Sequence, residues 1–257
     1  MLNCIPGSAD DVEQTLLVLK DVSASWIVLD GYNFNAAYQL TIKDSGKKLL
    51  FIDDNGCVSH YYADVVLNQN IHASEKLYSK REPNTTLLLG TRYALLREEF
   101  LSWQGWKRQI PALAQNILVT LGGSDPENVT KKIYDAIIQL EFNQLNVIIV
   151  AANNQYSDQM KFLIEKSKVN ISLKSNVEKM SDLMAWADIA ISAGGTSTWE
   201  LAFMGVPMIT VAIADNQCHI VEELSKNRVA VYAGWHKDIT PSLITESISE
   251  LICDHKK

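Results

Sequence analysis

The sequence predicts an α/β fold in which parallel strands are covered by helices. Short apolar runs alternate with longer amphipathic stretches along the chain, which is how buried parallel strands and their crossover helices read. The segment Ile191-Ser192-Ala193-Gly194-Gly195-Thr196-Ser197-Thr198-Trp199-Glu200 has the form of a buried strand, a glycine turn and a helix start. A second junction, Leu121-Gly122-Gly123-Ser124-Asp125-Pro126, again ends a strand in a glycine pair before a helix.

Taken in order, the apolar runs place strands at 26–30, 49–53, 65–68, 87–90, 117–121, 147–151, 171–174, 189–192, 208–212 and 229–233. The amphipathic stretches place helices at 9–21, 93–103, 126–140, 157–168, 180–186, 197–204, 217–225 and 241–254. Residues 103–115 have weak periodicity and one proline, so they read as a linker between an N-terminal domain, 1–102, and a C-terminal domain, 116–257. From residue 117 onward the pattern is that of a complete Rossmann-like unit.

The 257 residues suffice for two α/β domains of modest size. Hydrophobic residues make up 47% and charged residues 21%, and no apolar run approaches the ~20 residues that span a bilayer. No basic start followed by an apolar core marks a signal peptide. The net charge of −7 opposes broad nucleic-acid binding, which needs a clustered basic surface. A small anionic ligand needs only one local pocket. Cys4, Cys57, Cys218 and Cys253 form no C-x-x-C pair, and His60, His72, His219, His236 and His255 lack zinc-ligand spacing. Reduced thiols in a cytoplasmic protein are expected, with no metal, no cofactor, no membrane and no nucleic-acid partner.

Gly194 and Gly195 let a ligand approach the backbone, and the helix start near Ser197 offers N–H donors to an anion, so a nucleotide is the first candidate. The competing reading makes Ser197 and Glu200 a capping box on a tight βα turn. Gly122 and Gly123, with Ser124 beside them, sit at a strand's carboxyl end, where open α/β sheets bind ligands. Asp125 and Pro126 read as helix punctuation. No G-x-G-x-x-G is present, so a dinucleotide dehydrogenase is not indicated. Asn216 and Gln217 can hydrogen-bond sugar hydroxyls or cap the helix that follows them. A Glu200 carboxylate can also accept both hydroxyls of a ribose.

Together these segments resemble a known family over essentially the whole length of the chain. Its signature residues are Asp30-Gly31-Tyr32, Asp53-Asp54, Asn68-Gln69-Asn70, Gly90, Tyr93, Leu96, Arg97, Glu99, Phe100, Gly122 to Pro126, Ala193-Gly194-Gly195, Trp199-Glu200 and Asn216-Gln217. They look like the UDP-sugar hydrolase family of pseudaminic acid biosynthesis, related to the glycosyltransferase MurG and to spore-coat polysaccharide proteins. The resemblance implies a GT-B architecture, with two Rossmann-like domains and the active site in the cleft between them. It implies hydrolysis of UDP-2,4-diacetamido-2,4,6-trideoxy-β-L-altropyranose to UDP and the free sugar, as a step toward a nonulosonate. On this model Gly122, Gly123, Ser124, Gly194, Gly195 and Thr196 lie at the UDP, with the diphosphate on the Gly194-Gly195 turn, and Glu200 takes the ribose. Asn216 and Gln217 face the sugar and phosphates, and Asp30, Tyr32, Asp53 and Asp54 supply sugar contacts, although Asp53 and Asp54 equally suit a turn.

The family's G-x-G-H-x-x-R element, whose histidine is the expected base for water, does not occur in these residues. The chain therefore reads as a shortened member with an incomplete N-terminal sheet, an open edge that invites a partner chain or self-association. His60 and His219 are the histidines near signature segments; an imidazole suits the role of base, but a surface or packing role is the favoured reading of each. A GT-B glycosyltransferase and a non-catalytic UDP-sugar-binding protein are the alternatives. If the hydrolase assignment holds, this chain alone releases UDP from the diacetamido UDP-sugar about 10²- to 10⁴-fold more slowly than a version extended by the G-x-G-H-x-x-R element. Equal rates of UDP release from the two proteins overturn that expectation.

Overall fold

The computed structural model describes residues 4–122, 125, 128–140, 142, 144–151 and 158–253. The chain forms two compact units, Met1–Leu95 and Leu96–Lys257. In the first, strands β1 (Trp26–Asp30), β2 (Lys48–Ile52), β3 (Val65–Asn68) and β4 (Thr86–Leu89) form a parallel sheet in sequential order. Helices α1 (Ala9–Asp21) and α2 (Ala36–Asp44) pack on it. Leu29, Ile42, Leu49, Phe51, Tyr61, Val66 and Tyr78 share its core. The sequence reading has no helix at α2. Asn35 caps it through the Tyr38 amide, but its buried side holds the polar Gln39, whose Oε1 accepts from the Tyr62 amide, so the apolar period is broken.

The second unit contains β5 (Asn116–Thr120), α3 (Val129–Ile138), β6 (Asn146–Ala151), α4 (Asp158–Glu165), β7 (Asn170–Ser175) and α5 (Met180–Trp186). It continues with β8 (Ile189–Ala193), α6 (Ser197–Phe203), β9 (Met208–Ala212), α7 (Asp215–Lys226), β10 (Ala230–Trp235) and α8 (Pro241–Cys253). Its strands are parallel in the order β10-β9-β8-β5-β6-β7. The two-residue period of a strand sends Ile117, Val119, Ile189, Ile191, Ile209 and Val211 into one core with α3 and α8. Leu118, Ala190 and Met208 face the other core, with Met184 of α5 and Leu201 of α6. On α3 and α8, Ile133 and Ile137, then Ile244, Ile248 and Ile252, recur every four residues and bury one stripe of each helix.

The helix expected over 93–103 is replaced by two short 3₁₀ turns, Thr91–Tyr93 and Glu98–Trp103. Ala94 and Arg97 between them have ψ of 130° and 149°, which carries Arg97 out of any helical path. Residues 103–115, read as a linker, hold Arg108, which donates from Nε to Met204 O (3.1 Å), from Nη1 to Ala187 O (2.5 Å) and from Nη2 to Met184 O (2.6 Å). These carbonyls lie at the C-terminal ends of α5 and α6, where a cation meets the negative end of the helix dipole. Burial lowers the Arg108 pKa from its ordinary value, and Asp188 pulls it back up. Among the described residues no helix is long and apolar enough to cross a membrane.

Arg108→Ala strands three helix-end carbonyls and is expected to cost about 2 to 4 kcal/mol. For a unit of this size that lowers Tm by roughly 5 to 15 °C. A melting curve within about 1 °C of the parent shows that water replaces the guanidinium without loss.

Candidate functional site

In the second unit the strand order reverses between β5 and β8, so the crossovers that leave these neighbours diverge to opposite faces. The loops at their carboxyl ends form the place where open α/β sheets take ligands. Gly122 stands two residues beyond β5 with φ +77° and nothing within 4 Å of where a Cβ would stand, so it is glycine for conformation rather than for space. Gly123 and Ser124 lie outside the described residues, as does Pro126. Asp125 accepts from the Thr130 amide at 3.1 Å, which caps the start of α3 from outside.

The glycines after β8 have different duties. Gly194 donates to Val211 O at 3.1 Å and extends the ladder toward β9. A Cβ there would stand 2.3 Å from Val221 Cγ1 and 3.1 Å from Gln217 Cβ, so Gly194 is required by close packing of the turn on α7. A Cβ on Gly195 meets only Gln217 Nε2, at 3.8 Å. The turn is therefore closed by packing at Gly194 and open at Gly195 and the exposed Thr196. Gln217 Oε1 accepts from the Ile213 amide at 3.1 Å, which fixes the amide so that Nε2 stands beside Gly195. Asn216 is exposed on the first turn of α7, next to Gln217.

The capping box of Ser197 and Glu200 does not form. Thr196 is the cap residue without a side-chain bond, and Thr198 instead donates both its amide and its Oγ1 back to Gly195 O, at 3.0 and 2.8 Å. Glu200 is buried, with 4% of its side chain exposed. Its Oε1 accepts from Arg97 Nε at 2.7 Å and its Oε2 from Arg97 Nη2 at 3.0 Å. Arg97 Nη1 pairs with Glu99 Oε1 at 3.0 Å, and Glu99 Oε2 accepts from the Ser181 amide at 3.0 Å in the first turn of α5. The Glu200 bond is the largest cause that raises the Arg97 pKa above its ordinary value. Arg97 and Glu99 were legible as signature residues, but nothing in their spacing assigned Arg97 a partner 103 residues away or Glu99 one 82 residues away.

In the first unit, Asp53 is buried and committed to its turn. Its carboxylate accepts from the amides of Asn55 and Gly56, at 2.9 and 3.2 Å, and from Tyr61 Oη at 2.5 Å. Burial, then the Asp53 bond, pushes the Tyr61 hydroxyl well above the usual phenol range. Asp54 points elsewhere: its Oδ1 accepts from Asn70 Nδ2 at 2.6 Å and its Oδ2 from Tyr32 Oη at 3.1 Å. Asp30 is exposed at the carboxyl end of β1. His60 pairs with Glu82 at 2.8 Å, and His219 is exposed on α7. Among the described residues no group of three or more His, Cys, Asp or Glu is placed to hold a metal ion.

Residues 116–257 match the family described as Glycosyltransferase family 28 C-terminal domain. The chain belongs to this family. Among its relatives, the spore coat polysaccharide biosynthesis protein SpsG of Bacillus subtilis is 25% identical over 219 residues, 84% of this chain and 63% of that protein. The Helicobacter pylori protein named pseudaminic acid cytidylyltransferase and UDP-2,4-diacetamido-2,4,6-trideoxy-β-L-altropyranose hydrolase is 24% identical over 194 residues, 75% of this chain and 34% of that protein. The chain thus spans less than two thirds of either relative. MurG of Acinetobacter baumannii superposes with a TM-score of 0.63 and 18% identity, over 95% of this chain and 70% of that one. The fold of this family 28 chain is accordingly GT-B glycosyltransferase-like.

The glycine pair separates by experiment. Gly194→Ala is expected to cost about 1 to 3 kcal/mol through overlap with Val221, whereas Gly195→Ala should change stability by less than about 0.5 kcal/mol. Denaturant unfolding checks both, and equal losses contradict the assignment of packing to Gly194 alone.

Proposed function

We propose that the second unit binds the UDP part of a UDP-sugar and that the protein hydrolyses a UDP-linked 2,4-diacetamido-trideoxy sugar. The observation that carries the nucleotide reading is the pair of glycine junctions, at Gly122 and at Gly195-Thr196, side by side where the strand order reverses. Gln217 Nε2 stands beside one of them. In this reading the diphosphate lies against Gly195, Thr196 and Gln217, Glu200 receives the ribose hydroxyls, and Asn216 faces the sugar. Water attacks the anomeric carbon as the bond from that carbon to the β-phosphate oxygen breaks. The electron pair leaves with UDP and the water proton passes to solvent or a base. Fixed N–H dipoles near the β-phosphate stabilise the charge that grows there, without reorganising during the step.

The hydrolase reading is supported by the signature residues and by the likeness to the Helicobacter protein. A transferase reading is supported by membership of family 28 and by the likeness to MurG; there a sugar hydroxyl takes the place of water. UDP release from the UDP-sugar alone supports hydrolysis, release only with an added acceptor supports transfer, and binding without either supports a binding protein.

Titration calorimetry with UDP is expected to show one site on the full chain, and no heat at millimolar UDP overturns the reading. Glu200→Gln removes one anionic acceptor and should weaken UDP by about 1 to 3 kcal/mol, roughly five- to two-hundredfold. Since Glu200 is held by Arg97 rather than by a capping box, the same change should also lower Tm by a few degrees. Gly195→Ala should weaken UDP while leaving Tm near that of the parent.

A further inference from the structure

Glu200 would be a poor ribose acceptor if its side chain were free. A glutamate on the surface of a helix samples several rotamers, and fixing it on binding costs side-chain conformational entropy. Here that cost is met on folding. The fork from Arg97 Nε and Nη2 engages both carboxylate oxygens, at 2.7 and 3.0 Å, which fixes the plane of the carboxylate as well as its position. Arg97 is fixed in turn by Glu99, at 3.0 Å, and Glu99 by the Ser181 amide, at 3.0 Å. The relay runs from the first turn of α5 to the first turn of α6. The Arg97 guanidinium also lies over Phe100, with its central carbon 5.5 Å from the ring centroid.

The burial of the partners is unequal. The Arg97 side chain is 48% exposed, Glu99 16% and Glu200 4%. A surface ion pair between two mobile side chains adds little to stability, but this one sets the geometry of a carboxylate that solvent barely reaches. A carboxylate has about four acceptor positions, of which the fork takes two and leaves two.

We propose that Arg97 is a positioning residue for ribose recognition: through its two-point fork it holds the Glu200 carboxylate in the one orientation that accepts the 2′- and 3′-hydroxyls of a nucleoside diphosphate. Glu99 acts one step further back by orienting Arg97. The proposal rests on the nucleotide reading of the site, and its test separates the two. Lysine keeps the charge of Arg97 but cannot form the fork, so the decisive variant is Arg97→Lys.

The experiment compares UDP with 2′,3′-dideoxy-UDP by calorimetry, using the full chain. The parent is expected to prefer UDP by at least tenfold. Arg97→Lys should weaken UDP on the order of tenfold while leaving dideoxy-UDP within about twofold, so that the preference collapses; this retained binding shows that the variant is folded. Glu99→Gln should lower the preference by a smaller factor in the same direction. An unchanged preference in Arg97→Lys overturns the proposal, as does an equal loss for both ligands, which marks a merely structural pair. Tighter UDP binding by Arg97→Lys also overturns it, because Arg97 then masks Glu200. Failure of the parent to bind UDP overturns the nucleotide reading itself, and failure of the parent to distinguish the two ligands removes ribose from the role of Glu200.

Discussion

A parallel strand cannot be joined to its neighbour by a hairpin, and each connection must cross the sheet through a covering element of one hand. That constraint organises the second unit. The chain builds outward from β5 through β6 to β7, returns through α5, and builds outward again from β8 through β9 to β10 on the other side. With crossovers of one hand, α3 lies on one face and α6 on the other, as their separate cores show. The connections leaving β5 and β8 therefore part, and the carboxyl ends of these adjacent strands are left uncovered by either helix. Every feature assigned to the nucleotide, from Gly122 to Gln217, lies on loops or first turns at that edge.

The central strands of the second sheet were legible because burial on both faces demands apolar runs. All five residues of β8 and all five of β9 are buried, and the apolar character of these runs shows in the residues themselves. What failed was local pattern where a polar side chain serves the interior. Gln39 in α2 is fully buried and hydrogen-bonded to Phe34 O and the Tyr62 amide, so a stretch that is helical reads as non-periodic. The opposite error occurred at 93–103, where helical composition conceals two extended residues. One of them, Arg97, leaves the helical path to reach Glu200, an interaction set by tertiary structure and invisible to any short window.

The candidate site shows the same division. A glycine pair at the end of a strand is readable, but the letters do not say which glycine is confined by packing and which is open. Gly194 is confined by Val221, and Gly195 is open toward Gln217. Likewise S-x-x-E at the start of α6 spells a capping box, yet the first turn is closed by Thr198 on Gly195 O, and Glu200 is turned toward Arg97. Asp53 and Asp54, adjacent in sequence, divide between a buried turn and a hydrogen bond to Tyr32.

The segment from Arg97 to Arg108 shows how little composition says about a connection. Its first part reads as a helix and its second as a linker, but its two arginines hold α6 from opposite ends. Arg108 meets a backbone carbonyl at the carboxyl end, Met204 O, where the helix dipole favours a cation. Arg97 lies beside the first turn, where the dipole opposes a cation, so its charge is tolerable there only against carboxylates. Glu200 and Glu99 supply them. The α6 helix has seven residues, about 10 Å of rise, too short to hold its own orientation by backbone bonds alone. Clamping both ends fixes where Glu200 stands relative to the Gly195 turn, the distance on which the proposed joint recognition of a diphosphate and a ribose would depend.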